Sequence, residues 1–228
     1  MGLTLLELIR EMPGIETAAA VDRSAQGTEG FPAFERIGDC DIPSDVVIDF
    51  SSPGAVPEVA SYCISRRLPL VLATTGLGPD ERALVQAAAA EIPVFLSPNF
   101  SLGIGWLSLV LEAYGGMLAG LFQVDVLEKH HTMKKDLPGG TALMLAERAG
   151  CPADRIHAVR TGTIPGEHTV LFAGADETLE LVHRAYDRSI FARGALEAAR
   201  FLVGQAPGLY SMKELLTSMG LVPGTHQA

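Results

Sequence analysis

Apolar and polar positions alternate along this chain with two different periods, which change places several times in the first hundred residues. In residues 3–12 apolar side chains recur at helical spacing, and Pro13-Gly14 stops the run. Residues 17–21 form a short apolar run ending at Asp22, and residues 45–50 form another, closed by Ser51-Ser52-Pro53-Gly54. A helical pattern over 55–66 leads into the apolar run 68–73, which ends at Thr74-Thr75-Gly76. Residues 79–90 are again helical in pattern, and the run 93–96 ends at Ser97-Pro98-Asn99-Phe100. Short, continuously apolar strands separated by helices predict a parallel sheet covered on both faces. The ligand of such a sheet sits beyond the C-terminal ends of its strands, where Asp22, Ser51, Thr74, Thr75 and Asn99 stand.

Beyond residue 101 the rhythm changes. Residues 102–122 predict one long helix, interrupted by a glycine break at Gly115-Gly116. At ~20 residues it is long enough to cross a bilayer, but Glu112 and five glycines favour a buried helix. A strand over 124–128, a helix over 142–149 and strands over 158–162, 169–173 and 178–186 follow. Strands in series predict a mixed or antiparallel sheet, hence a second, smaller α+β domain. An Ala-rich helix over 191–203 is expected to return to the first domain. The expected division is residues 1–101 with 193–228, and residues 102–192.

Composition narrows the partners. The 228 residues carry 27 acids against 17 Lys and Arg, a net charge of -10 that disfavours nucleic acid. Cys40, Cys63 and Cys151 are odd in number and far apart, which suits a reducing cytosol better than a disulfide framework. The start Met1-Gly2-Leu3-Thr4 has no basic region followed by an apolar one, so no secretory signal or membrane anchor is expected and a cytoplasmic location is.

The densest chemistry lies in Glu128-Lys-His-His-Thr-Met-Lys-Lys-Asp-Leu-Pro-Gly-Gly-Thr141. Lys129, His130, His131, Lys134 and Lys135 make a cationic island, and Pro138-Gly139-Gly140-Thr141 opens a helix whose backbone N–H groups suit an anion. Histidine is the natural proton donor near neutral pH. The same residues also read as a solvated turn with surface lysines and an ordinary helix cap. Zinc held by His130 and His131 with His168 or His183 is a third reading, without an HExxH or cysteine pair to support it. Asp22 after an early strand would bind a ribose hydroxyl if a dinucleotide were present. His157 and His226 read as surface residues.

Together these motifs resemble the dihydrodipicolinate (4-hydroxy-tetrahydrodipicolinate) reductase family over nearly the whole length. The resemblance rests on Asp45-Val-Val-Ile-Asp-Phe-Ser-Ser-Pro53, Ala73-Thr-Thr-Gly76, Ser97-Pro-Asn-Phe-Ser-Leu-Gly103 and Glu128-Lys-His-His through Gly140-Thr-Ala142. Arg160-Thr-Gly-Thr-Ile-Pro-Gly-Glu-His168 and Pro207-Gly-Leu-Tyr-Ser-Met212 agree with it. It implies a Rossmann-like parallel sheet joined to a smaller α+β domain, a small dicarboxylate substrate, NADH or NADPH as cofactor, and a homotetramer built through the second domain's sheet. It makes His130 the acid/base and Lys134 its proton-donating or substrate-binding partner. It gives the substrate carboxylates to His131, Gly140 and Thr141, and the cofactor to Asp22, Ala73, Thr74, Thr75, Ser97, Pro98, Asn99 and Phe100.

Three departures shape the expectations. Met1-Gly2 aligns with the last two residues of the family's G-x-x-G-x-M-G loop, so the first strand and first two glycines of that pattern are missing. The pyrophosphate is then left with the N–H groups of Gly2, Leu3 and Thr4, and a dicarboxylate is expected to bind better than the dinucleotide. The alternative function is accordingly a non-catalytic, truncated homologue that binds a dicarboxylate or joins full-length subunits. Gly139 replaces the family's usual Ser, and the connection from 149 to 160 is short enough that part of a loop or strand is expected to be absent.

Overall fold

The computed structural model describes residues 1–24 and 30–222. Along the chain it forms α1 (Gly2–Glu11), β1 (Ala20–Val21), β2 (Ala33–Phe34), β3 (Val47–Asp49), α2 (Val56–Arg66), β4 (Leu70–Leu72), α3 (Pro79–Ala89) and β5 (Pro93–Leu96). Next come α4 (Leu102–Ala119), β6 (Gln123–His130), α5 (Gly140–Ala149), β7 (Ile156–Arg160), β8 (Gly166–Ala173) and β9 (Thr178–Ala185). The chain ends with α6 (Ser189–Leu202), β10 (Gly208–Tyr210) and α7 (Met212–Ser218). Two compact units result: Met1–Pro98 with Phe191–Ser211, and Asn99–Ile190 with the described residues from Met212 onward.

In the first unit β10, β5, β4 and β3 lie in that order, all parallel. Leu70, Leu72 and Val94 pack with Val56, Val59, Val85 and Ala88 of α2 and α3. Phe95, one residue out of phase with Val94, turns to the other face and meets the Phe201 ring edge-on at 6.4 Å. That two-residue period is why these strands read as unbroken apolar runs: helices cover both faces. Leu5 and Leu8 of α1 pack with Ala192 and Leu196 of α6, next to Ile48 and Phe50. The β1–β2 ladder is separate, and among the described residues no strand pairs with the outer edge of β3. The two-residue β2 and three-residue β10 are too short for the periodicity to reveal.

The second unit is a mixed sheet of order β7-β6-β8-β9, with β6 and β7 parallel and the other pairs antiparallel. Val124, Val126, Val170 and Phe172 pack against Ile104, Leu107, Leu111, Leu145 and Ala146 of α4 and α5. The apolar α4 is thus a core helix, and it runs through Gly115-Gly116 without the expected break. The reason is packing: a Cβ on Gly115 would lie 2.3 Å from the Arg148 carbonyl oxygen, so this glycine lets α4 and α5 close together. The short connection from 149 to 160 still contains β7. The tail does not all return to the first unit. α7 lies with the second, where a Cβ on Gly105 of α4 would stand 3.2 Å from Leu216 Cδ1.

Candidate active site

The inner face of the second unit's sheet changes character along its strands. Its apolar part, beneath α4 and α5, ends at Val126 and Val170, and the next inward positions are polar. Register places Glu128 opposite His168, and His168 opposite His183, so one row crosses three strands. One step further, His130 at the end of β6 lies opposite Arg160 of β7. Glu128 is fully buried, with His168 at 5% and His130 at 9% exposure.

Buried charge requires partners, and Glu128 has several. Its Oε1 accepts from Arg160 Nη2 at 2.7 Å and from the Gly139 N–H at 2.8 Å. Its Oε2 stands 3.3 Å from His130 Nδ1 and 3.8 Å from His168 Nε2. The His130 and His168 rings meet edge to face at 5.2 Å between centroids. His130 Nε2 overlies Gly166, where a Cβ would come within 3.1 Å of it.

Residues 131–139 fold over this row. Lys134 Nζ donates to both carboxylate oxygens of Asp136 at 2.7 and 2.6 Å, while Arg160 donates to the carbonyls of Lys134 (3.3 Å) and Asp136. These bonds tie the lysine-bearing loop to β7. α5 then begins at Gly140, whose first-turn N–H groups have no acceptor within the helix. The Thr141 hydroxyl oxygen accepts from Asn99 Nδ2 at 3.1 Å; the Asn99 side-chain oxygen accepts from the Ser101 N–H, and the Ser101 hydroxyl lies 3.1 Å from His183 Nε2. The structure therefore places His130, His131, Lys134, Gly140 and Thr141 along one contiguous stretch of sheet end, loop and helix start, with Asn99 joined to it through Thr141 in the same unit.

The electrostatics follow from burial. Desolvation holds the His168 imidazole down to about 4, helped by neighbouring His130. His130 is also lowered, first by desolvation and then by Lys134 and Arg160, with Glu128 and Asp136 opposing them. Burial lowers His183 as well. The Lys134 hydrogen bonds hold Asp136 below the ordinary carboxylate range. A cationic loop beside a helix start suits a dianion, and a shielded imidazole beside it suits proton transfer. Glu128, His130 and His168 also offer ligand atoms within 4.8 Å of one another, the one compact metal-like group found among the described residues. It differs from the His130–His131 set weighed above: His131 lies beyond the end of β6 and is not part of this group. Arg160 occupies Oε1, while Oε2, His130 Nδ1 and His168 Nε2 are buried without a hydrogen-bond partner. Glu128 and Arg160 were left without a role by the sequence reading; their signal was a carboxylate two residues before His130, which alternation places on the same face.

The first unit carries the other candidates. Ala73 and Thr74 are buried beyond β4 and Thr75 is exposed; the Thr74 hydroxyl donates to Asp49 Oδ2 at 2.8 Å, which ties the ends of β3 and β4. That hydroxyl is therefore spent inside the unit, leaving backbone and Thr75 to a ligand. Asp22 is exposed beyond β1, and its Oδ1 accepts from the Ser24 N–H and hydroxyl, which lower its carboxyl further. Ser97 and Pro98 end the first unit, and Asn99 and Phe100 begin the second. A carboxylate beyond β1 and exposed backbone beyond β4 of the four-stranded parallel sheet fit a nicotinamide dinucleotide. His157 is a surface residue paired with Asp125 at 2.8 Å, and His226 lies outside the described residues.

Both parts of the chain match known proteins. The family model "Dihydrodipicolinate reductase, N-terminus" matches residues 1–100, and the corresponding C-terminal model matches 103–216. The 4-hydroxy-tetrahydrodipicolinate reductase of Caldanaerobacter subterraneus is 41% identical over 237 residues, covering 95% of this chain and 94% of the relative. That of Stenotrophomonas maltophilia is 44% identical over 226 residues, covering 95% and 93%. Among solved structures, dipicolinate-bound dihydrodipicolinate reductase from Paenisporosarcina sp. TG-14 superposes with a TM-score of 0.73 at 21% identity, covering 92% of each chain.

Proposed function

The chain belongs to the dihydrodipicolinate reductase family, and from that premise we propose that it reduces 4-hydroxy-tetrahydrodipicolinate to tetrahydrodipicolinate with NADH or NADPH, in lysine and diaminopimelate biosynthesis. Its curated relatives are named as this reductase, and the chain is an oxidoreductase of that type. The observation that carries the reading is His130, shielded at the end of β6, with Lys134 and the Gly140-Thr141 helix start in the same unit. A dicarboxylate is the ligand such a site favours, and a structural neighbour of the same family is dipicolinate-bound. The alternative of a non-catalytic dicarboxylate binder gains no support over this reading.

In the proposed reaction, loss of water from the substrate gives a conjugated ring. A bound nicotinamide cofactor supplies a hydride. His130 delivers the proton to the carbon beside the one reduced, and Lys134 holds a carboxylate and helps that transfer. His131 and the first-turn N–H groups and hydroxyl at Gly140 and Thr141 hold the carboxylates and so orient the ring. Asp22 would take ribose hydroxyls, and Ala73, Thr74, Thr75, Ser97, Pro98, Asn99 and Phe100 would line the nicotinamide end. We place the enzyme in the cytosol, in keeping with its three free cysteines, and as a homotetramer built through the second unit's sheet. The test is direct: freshly generated substrate is added to the purified chain with NADH, then with NADPH, and the loss of reduced-nicotinamide absorbance is followed. Substrate-dependent oxidation of either is expected; none with both overturns the reading.

A further inference from the structure

The inner row of the sheet contains a carboxylate whose burial the anion site alone does not explain. Glu128 has no access to solvent, and Arg160 with the Gly139 N–H already satisfies its Oε1. Its Oε2 and His130 Nδ1 are both buried without a hydrogen-bond partner, and they face each other at 3.3 Å, close enough for ion pairing though not aligned as a hydrogen bond. A buried oxygen that only accepts and a buried ring nitrogen that can donate are each other's nearest complement.

We propose that Glu128 is the positioning residue of the proton donor: it holds His130 in the Nδ1–H form and leaves Nε2 as the nitrogen that carries and delivers the proton. The partner of one imidazole nitrogen decides which tautomer the ring adopts, the logic by which a buried carboxylate orients a catalytic histidine. Arg160 braces that carboxylate from β7, and the Gly139 N–H links it to the start of α5. One side chain thus sets the acid and the substrate-binding helix start together. The charged and titratable groups facing His130 are Glu128 on its own strand, Lys134 and Asp136 on the loop, Arg160 on β7 and His168 on β8. Among these, Glu128 is the foremost influence that favours the protonated ring.

The inference rests on His130 being the acid, and two measurements separate the ideas. Nitrogen NMR of the 15N-histidine-labelled protein, with His130 assigned by its loss in His130→Gln, is expected to show Nδ1 protonated and Nε2 unprotonated in the neutral ring. The opposite tautomer, or a stoichiometric metal on Nδ1, overturns the proposal. This measurement uses the unaltered active site, so it decides even if Glu128 variants fail to fold. In Glu128→Gln, turnover should fall roughly 10- to 100-fold with little change in KM. The limb on which kcat falls with rising pH should move down by about one pH unit. Glu128→Asp, which retains the charge, should bring that limb back towards its original position. A lower kcat with an unmoved limb, or an aspartate limb that stays with the glutamine one, overturns the proposal. If His130→Gln leaves kcat unchanged, the catalytic assignment fails while the tautomer result stands.

Discussion

His130 and His168 stand side by side, yet their surroundings prepare them for different work. His130 is expected to act only in the transition state, so His130→Gln should lower kcat by ~10²- to 10⁴-fold with little change in KM. Lys134→Ala should impair both parameters, because in the proposed mechanism the ammonium would serve a carboxylate as well as the proton transfer; steady-state kinetics on the two variants test the pair. His168 is buried neutral, and its folded value of about 4 lies below the unfolded 6.5. The unfolded chain therefore binds the extra proton first, so this contribution is complete above pH 6.5 and is lost as pH falls towards 4. The gap corresponds to about 3 kcal/mol between the two limits, as an upper figure. Urea unfolding of His168→Gln across this range should show a shallower dependence on pH than the parent, whatever its absolute stability. Of these proposed roles, those of His130 and Lys134 were proposed from the motif. Glu128's was not, because its significance depends on what lies across the sheet.

At the scale of elements, the two adjacent glycines of α4 make opposite predictions. A Cβ on Gly115 meets the backbone of α5, the Arg148 carbonyl at 2.3 Å and Ala149 Cα at 2.9 Å, neither of which moves without shifting a helix. Gly115→Ala should cost about 1–3 kcal/mol, as overpacking does. Gly116 has nothing within 4 Å of its would-be Cβ. Gly116→Ala should therefore stabilise by about 0.5–1 kcal/mol through helix propensity alone. Denaturant unfolding monitored by circular dichroism distinguishes them; equal effects would mean that the α4–α5 contact is not as close as described. From sequence the pair reads as a break, since local propensity counts both glycines alike. The helix continues because one glycine faces a neighbour and the other faces solvent.

For the whole molecule, the outer face of the second unit's sheet matters most. Leu127, Thr169 and Val182 align there across β6, β8 and β9, and Val159 of β7 is 45% exposed. The neighbouring Lys129–Glu167 and Arg184–Glu167 pairs at 3.3 and 3.8 Å set charge beside this apolar row. Under the proposed assembly a second copy covers this face, so sedimentation velocity should show a tetramer. Val182→Glu should shift it to smaller species while circular dichroism stays unchanged. A monomeric parent protein would overturn the assembly.

The pattern of apolar runs and turn residues by itself determined the two-layer logic of this protein: a parallel sheet buried on both faces, then a second sheet beneath long helices. It left the second sheet as mixed or antiparallel, because burial of apolar surface imposes a period of about two on strands and 3.6 on helices, and a period is a local property that does not set strand direction. The contiguous motif from Glu128 to Thr141 likewise displayed His130, Lys134 and the helix start, since these lie within one strand, loop and helix. Tertiary structure alone decided the rest. The three-strand register joined Glu128 to His168 and His183, β7 delivered Arg160 to the buried carboxylate, and close helix packing turned a presumed break at Gly115 into a contact. Each depends on residues far apart in the chain, and a separation in space is not encoded in any local period.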